Sequence, residues 1–280
     1  MFTAPTDNTA ALARRDARRR RAGMNLPDGC ARPLGPAAVG VDVGSASTRI
    51  WLSGHGRLRA TNPTPAAAER SAAVVRGRII DAEAVRAVLS GLLRDRQQPL
   101  PTGVVVVACR PVGSNAQAEL ALREVLTSVL EPARLLIVDT VRAAAMGSGA
   151  AAGPLLIADV GARLTEIAVL SGGVIVAARR HDVGLHDDDG GTDPDAAIIA
   201  AVTDLIGQVR RQAGHRQAIA AAVRGGLLLV GGGAARPRLA ARIAGAAGTS
   251  VRSPAAPHVA AVRGAGLAAL SVLRHDARRP

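Results

Sequence analysis

The chain has 280 residues, is 48% hydrophobic and carries a formal net charge of +13 at pH 7; its 35 basic residues are all arginine, with no lysine and no tyrosine. Without lysine it can be neither a P-loop NTPase, a protein kinase nor a pyridoxal enzyme, each of which needs a lysine at its phosphate, strand or Schiff-base position. With Phe2 and Trp51 as its sole Phe and Trp, it is poorly equipped to stack nucleic-acid bases.

Residues 1–38 read as a basic, disordered arm. Arg18–Arg21 repel one another there, and Pro27, Pro33 and Pro36 break any helix. The sharper use for such an arm is a polybasic contact with a membrane surface or nucleic acid. Order is expected from Val39. Val39–Val43 and Thr48–Leu52 read as strands around a turn at Gly44, with Arg57–Ala60 as a third strand and Val74–Ile80 as another. Asp81 caps a helix running to about Arg94 with Val85, Val88, Leu89 and Leu92 on one face. A buried strand over Gly103–Cys109 precedes a helix over Asn115–Leu130, with Leu120, Val125 and Val129 facing inward; a strand at Leu135–Val138 and a short helix at Thr140–Met146 follow. The grammar then restarts. Strands are predicted at Leu155–Asp159, Leu164–Leu170 and Val174–Ala178, then a helix at Ala196–Gln212, a strand at Leu227–Val230, and helices at Arg238–Ala247 and His258–Leu273. The longest uncharged run, between Arg142 and Asp159, has 16 residues, short of the ~20 of a spanning helix, so no transmembrane segment is predicted. Cys30 and Cys109 lack zinc-ligand spacing, and a reducing cytoplasm is expected.

The restart is a duplication. Asp42-Val43-Gly44 with Thr48 and Ile50 matches Asp159-Val160-Gly161 with Thr165 and Ile167 at an offset of 117 residues. Ala143-Ala144 with Gly147 and Gly149 matches Ala260-Ala261 with Gly264 and Gly266 at the same offset. A glycine at each hairpin turn lets backbone N–H groups approach an anion. A carboxylate just before the turn repels phosphate alone and becomes useful with a divalent cation between them. Two such hairpins would hold a phosphate chain from both sides, Asp42 and Asp159 orienting Mg²⁺. Leu227–Val230 followed by Gly231, Gly232, Gly233 and Ala234 adds a strand, a glycine-rich turn and a helix suited to flat contact with a base or sugar.

These motifs resemble the actin-like ATPase superfamily, and within it the MreB and MreB-like rod-shape proteins, over about residues 39–272. Asp42, Gly44, Ser45, Ala46, Ser47 and Thr48 are similar to its first phosphate motif. Asp159 with Gly161, Ala162 and Arg163 resembles the second, and Gly231–Ala234 the adenosine motif. The resemblance implies a duplicated actin-like (ribonuclease H-like) α/β fold, two similar domains with mixed sheets flanked by helices. Residues 39–152 with 257–280 would form domain I and 153–256 domain II. It implies ATP or ADP with Mg²⁺ as cofactors and Asp42 and Asp159 as the metal-side carboxylates. Partners would be further copies, MreB-like proteins and cell-envelope synthesis proteins, with nucleic acid not expected. The protein would be cytoplasmic, peripheral at the inner face of the membrane through its arm.

Three departures qualify the resemblance. The family's two small subdomains have no counterpart: only Thr61–Ala73 precedes Val74, and one helix with its flanks is expected between Gly184 and Leu227. The second phosphate loop has Ala162, Arg163 and Leu164 where the family has Gly-Gly-Thr, and these residues are not expected to take glycine's positive-φ conformations. Arg163 either supplies charge to a phosphate or serves the surface. The family's water-activating glutamate is replaced by Thr140, with Asp139 one residue away, and both are poor substitutes. Loss of a catalytic base removes roughly two to four orders of magnitude in rate, so hydrolysis is expected to be weak or lost. An active ATP-dependent polymer and a non-nucleotide scaffold for envelope proteins remain the alternatives. The acids at 187–189, 193 and 195 read as a solvated turn, and Trp51 as core.

Overall fold

The central strands are near-continuous apolar runs buried on both faces, and they sort into two sheets with a different core on each face. The computed structural model describes residues 37–53, 58–61, 72–94, 100–150, 153–187, 193 and 195–276; residues 1–36 of the arm lie outside them, and Ala38, placed in the arm by the sequence, is instead the buried start of the first strand. The first sheet uses β1 (Ala38–Val43), β2 (Thr48–Leu52), β3 (Leu58–Thr61), β6 (Val105–Arg110) and β7 (Arg134–Asp139), in the order β3-β2-β1-β6-β7. The second uses β8 (Leu155–Val160), β9 (Thr165–Ser171), β10 (Val174–His181), β11 (Leu227–Val230) and β12 (Val251–Arg252), in the order β10-β9-β8-β11-β12. In both sheets the first three strands are antiparallel neighbours and the last three are parallel. The two sheets therefore share one topology, as the 117-residue repeat requires.

The outer face of the first sheet is covered by α1 (Ala82–Arg94) and α2 (Ala116–Leu130), which bury Val85, Leu89, Leu92, Leu122, Val125 and Leu126 against Val39, Val41 and Val106. Both helices start at a side-chain cap: Ala84 N donates to Asp81 Oδ1 at 2.9 Å, and Ala118 N to Asn115 Oδ1 at 2.8 Å; such caps are worth about 1 kcal/mol. The outer face of the second sheet packs on α4 (Ala196–Arg210), α5 (Arg216–Arg224) and α6 (Pro237–Ala247). Between the sheets lie α3 (Thr140–Gly147) and α7 (Ala260–Asp276), in a shared core with Val105, Val107, Ile157, Leu228 and Val230.

The repeat is reproduced in the contact of α3 with α7. A Cβ on Gly147 would strike the Ala260 carbonyl oxygen, and one on Gly264 would strike that of Ala143. The pairs 143/260 and 147/264 both differ by 117, so the crossing is a pseudo-twofold contact in which each helix gives a glycine to its copy's backbone. The long helix also lies on β1, β2 and β6. Gly40 has no room for a side chain beneath it, and Trp51 fills the space opposite Gly266.

Four expectations need correction. Val74–Ile80 is not one strand but a small hairpin, β4 (Val74–Val75) and β5 (Arg78–Ile79), because Arg76 (φ 51°) and Gly77 (φ 75°) form a tight turn. Leu120 is 58% exposed; the buried face of α2 runs through Leu122, Val125, Leu126 and Leu130. Two helices, α4 and α5, connect β10 to β11 instead of one. A further strand, β12, escaped notice because two residues carry no periodicity.

Candidate functional site

The parallel strands β1, β6, β8 and β11 all point their carboxyl ends at one region between the sheets, where open α/β sheets place ligands. A cleft of about 210 Å³ opens there. It is lined from the first half by Asp42, Gly44, Ser45, Ala46, Ser47, Arg49, Cys109 and Thr140, and from the second by Asp159, Gly161, Ala162, Arg163, Glu166, Gly231 and Gly232. Among the residues singled out in the sequence, Thr48, Gly233, Ala234 and Asp139 do not line it. Thr48 is buried at the start of β2 and paired with Val43. Gly233 and Ala234 begin a 3₁₀ turn and are buried. Asp139 is drawn away by Arg110, with an ion pair of 3.4 Å.

The two loops are built alike. Gly44 N donates to Ser47 O at 3.0 Å, and Gly161 N to Leu164 O at 2.9 Å. Among the described residues the non-glycine positive-φ positions are Arg76, Glu131 and His215. Ala162, Arg163 and Leu164 therefore hold the second loop without left-handed backbone. In this chain the loop closes without glycine at those positions.

The charges beside the two aspartates differ. Across β1 and β2, Asp42 faces Arg49 and pairs with it at 3.9 Å. Across β8 and β9, Asp159 faces Glu166, and Arg49 and Glu166 are again 117 residues apart. One repeat thus has opposite charges on its ladder and the other has like charges. Burial, then the Asp42 carboxylate, push Asp159 up to about 7 against the pull of Arg49. Burial also raises Asp42, with Arg49 opposing. Glu166, 4% exposed, is raised well above the usual carboxylate range by burial and then by Asp159. It nevertheless crosses between the halves, accepting from Val112 N at 2.6 Å. Burial and these carboxylates push the Cys109 thiol up, so it is no nucleophile.

Arg163, on the cleft wall, reaches Asp187 at 3.4 Å. Arg76, from the β4–β5 turn, reaches the same carboxylate at 3.4 Å, and Gly184 N donates to it at 2.9 Å. Arg76 N also donates to Ser45 Oγ at 3.1 Å. Asp193 and Asp195 pair with Arg242, and Asp195 also with Arg236. Asp187, Asp193 and Asp195 are thus ion-paired, Asp193 at the surface; Asp188 and Asp189 lie outside the described residues.

Among the described residues no group of three or more His, Cys, Asp or Glu is placed to hold a metal ion. Two carboxylates facing one cleft fit Mg²⁺ where phosphate oxygens and waters complete its shell, the usual arrangement for that ion. Sequence reasoning missed Arg49, Glu166 and Cys109. The first two carried a signal, since the repeat offset and strand register place each opposite an aspartate.

No family model matches the chain, and no curated protein is similar to it in sequence. Solved structures are similar in fold. MreB5 of Spiroplasma citri bound to AMPPNP aligns with a TM-score of 0.72 at 16% identity, covering 88% of this chain and 99% of that one. The MamK double helical filament aligns at 0.65 and 16% identity over 88% and 100%. The ethanolamine utilization protein EutJ from Carboxydothermus hydrogenoformans aligns at 0.55 and 20% over 84% and 91%. The fold is the duplicated α/β fold of actin-like proteins.

Proposed function

We propose that the chain is a nucleotide-binding actin homologue of the MreB-like kind, holding ATP or ADP with Mg²⁺ and hydrolysing ATP weakly or not at all. The observation that carries this reading is the pair of equivalent loops, Gly44–Ser47 and Gly161–Leu164, closed by equivalent hydrogen bonds on two sides of one cleft. Backbone N–H groups of both loops would receive the phosphates. Arg49 and Arg163 would add charge, and Asp42 and Asp159 would hold the waters of the cation. Bound Mg²⁺ would neutralise phosphate and carboxylate charge together. Thr140 lines the cleft where a water-activating residue is needed, yet a hydroxyl is a poor base near neutral pH. The fold neighbours support the reading at its coarser level: MreB5 is bound to AMPPNP in one structure and to ADP in another.

Self-association belongs to the same proposal, supported by the likeness to a MamK filament. The absence of sequence counterparts for the family's small subdomains argues against ordinary filament ends. Envelope-synthesis proteins as partners, a role in cell shape, and membrane contact through the Arg-rich arm complete it. Among the described residues no helix is long and apolar enough to cross a membrane. Thermal shift, phosphate release and sedimentation test the proposal together. ATP–Mg²⁺ and ADP–Mg²⁺ are expected to raise Tm with phosphate release near background. Robust turnover lost in Asp42→Ala would instead establish an active ATPase polymer, and no shift with either nucleotide would favour a scaffold whose cleft is vestigial.

A further inference from the structure

We propose that the cleft recognises a triphosphate chain irrespective of the base it carries, inorganic triphosphate included. The inference rests on the nucleotide reading and narrows its ligand class. Four observations carry it. The cleft measures about 210 Å³, below the roughly 300–1,000 Å³ of sites that enclose drug-sized ligands. Its candidate anion-binding groups, the two loops with Arg49 and Arg163, all line this one cleft.

The glycine turn that would serve as a ledge for base and sugar is packed tightly on its neighbours. Gly231 has φ 81°, and a Cβ there would strike the Asp159 carboxylate; one on Gly233 would strike Val160. A Cβ on Gly232 would lie 3.0 Å from Leu185 Cδ1. The glycines thus serve close packing on β8 and Leu185. Leu185 is held there by backbone bonds: Leu185 N donates to Gly161 O at 3.0 Å and His186 N to Ala162 O at 2.7 Å. An apolar side chain is zipped onto the second loop beside the ledge.

Among the described residues no Phe, Tyr or Trp lines the cleft, and Trp51 is packed against Gly266. The imidazoles that line the cleft, His186 and His258, are exposed, so hydrogen bonds from them to a base would compete with water and discriminate little.

Calorimetric titration of the full chain with Mg²⁺ and ATP, GTP, CTP or inorganic triphosphate tests this, with adenosine alone as control. The expected result is four affinities within about threefold of one another, under 1 kcal/mol apart, and no adenosine binding. Arg163→Ala is expected to weaken all four equally, by about tenfold. Leu185→Gly is expected to open the ledge and raise the preference for ATP over inorganic triphosphate. A preference of the native chain for ATP of about tenfold or more over inorganic triphosphate or GTP, or displacement of triphosphate by adenosine, would overturn the inference while leaving nucleotide binding intact. Silence of all four ligands would overturn both.

Discussion

Asp42 and Asp159 occupy equivalent positions in the two repeats, yet Arg49 stands opposite one and Glu166 opposite the other. Burial raises both aspartates, and the Asp42 carboxylate raises Asp159 further. Because the folded pKa of Asp159, about 7, lies above its ordinary 3.8, the folded state binds the extra proton between roughly pH 4 and pH 7, and stability falls as pH rises through that window. Asp42 and Glu166 shift in the same direction. Denaturation midpoints measured from pH 5 to pH 8 are therefore expected to decline, and Asp159→Asn to flatten the decline. Thr140 supplies a second test at this scale. If its position, not the second loop, limits hydrolysis, Thr140→Glu is expected to raise phosphate release by about 10²-fold or more. An unchanged rate would place the defect elsewhere.

The α3–α7 crossing is where element-level packing is least forgiving. Gly147 and Gly264 each face a carbonyl of the other helix with no space for a methyl group. Gly147→Ala or Gly264→Ala is expected to cost about 1–3 kcal/mol or more through overpacking. Gly245→Ala, on α6 with open space around it, is expected to gain about 0.5–1 kcal/mol; urea denaturation of the three variants checks both. These glycines were legible in the sequence as a repeat but not as a contact, because a sequence match carries no statement about which copies touch. The central strands were legible because each is a short apolar run buried on both faces. Helix α2 was misread at Leu120 because an apolar residue beside a 3.6-period stripe looks like part of it. In the second loop the composition suggested damage, whereas the hydrogen bond from Gly161 to Leu164 needs no glycine after the first. Arg49 was hidden because charge inside a strand looks like a solvated face until the register sets it beside Asp42.

The halves meet through a shared core and through a few polar contacts at the cleft. Glu166 accepts from Val112 N, and Arg76 and Arg163 converge on Asp187 from opposite halves. Asp187→Ala is expected to leave the core intact and to speed amide exchange in residues 183–187 and at the β4–β5 turn. Exchange unchanged in both segments would mean that the contact does not tie the mouth of the cleft. All of this geometry serves one claim, that two copies of one loop face each other to hold a phosphate chain. Calorimetry of ATP with Mg²⁺ against the native chain, Asp42→Ala and Asp159→Ala tests it most directly. The account predicts saturable binding to the native chain, weakened about tenfold or more by either substitution, since the repeats contribute equivalent groups. Binding that persists undiminished in both variants, or none in the native chain, would contradict it.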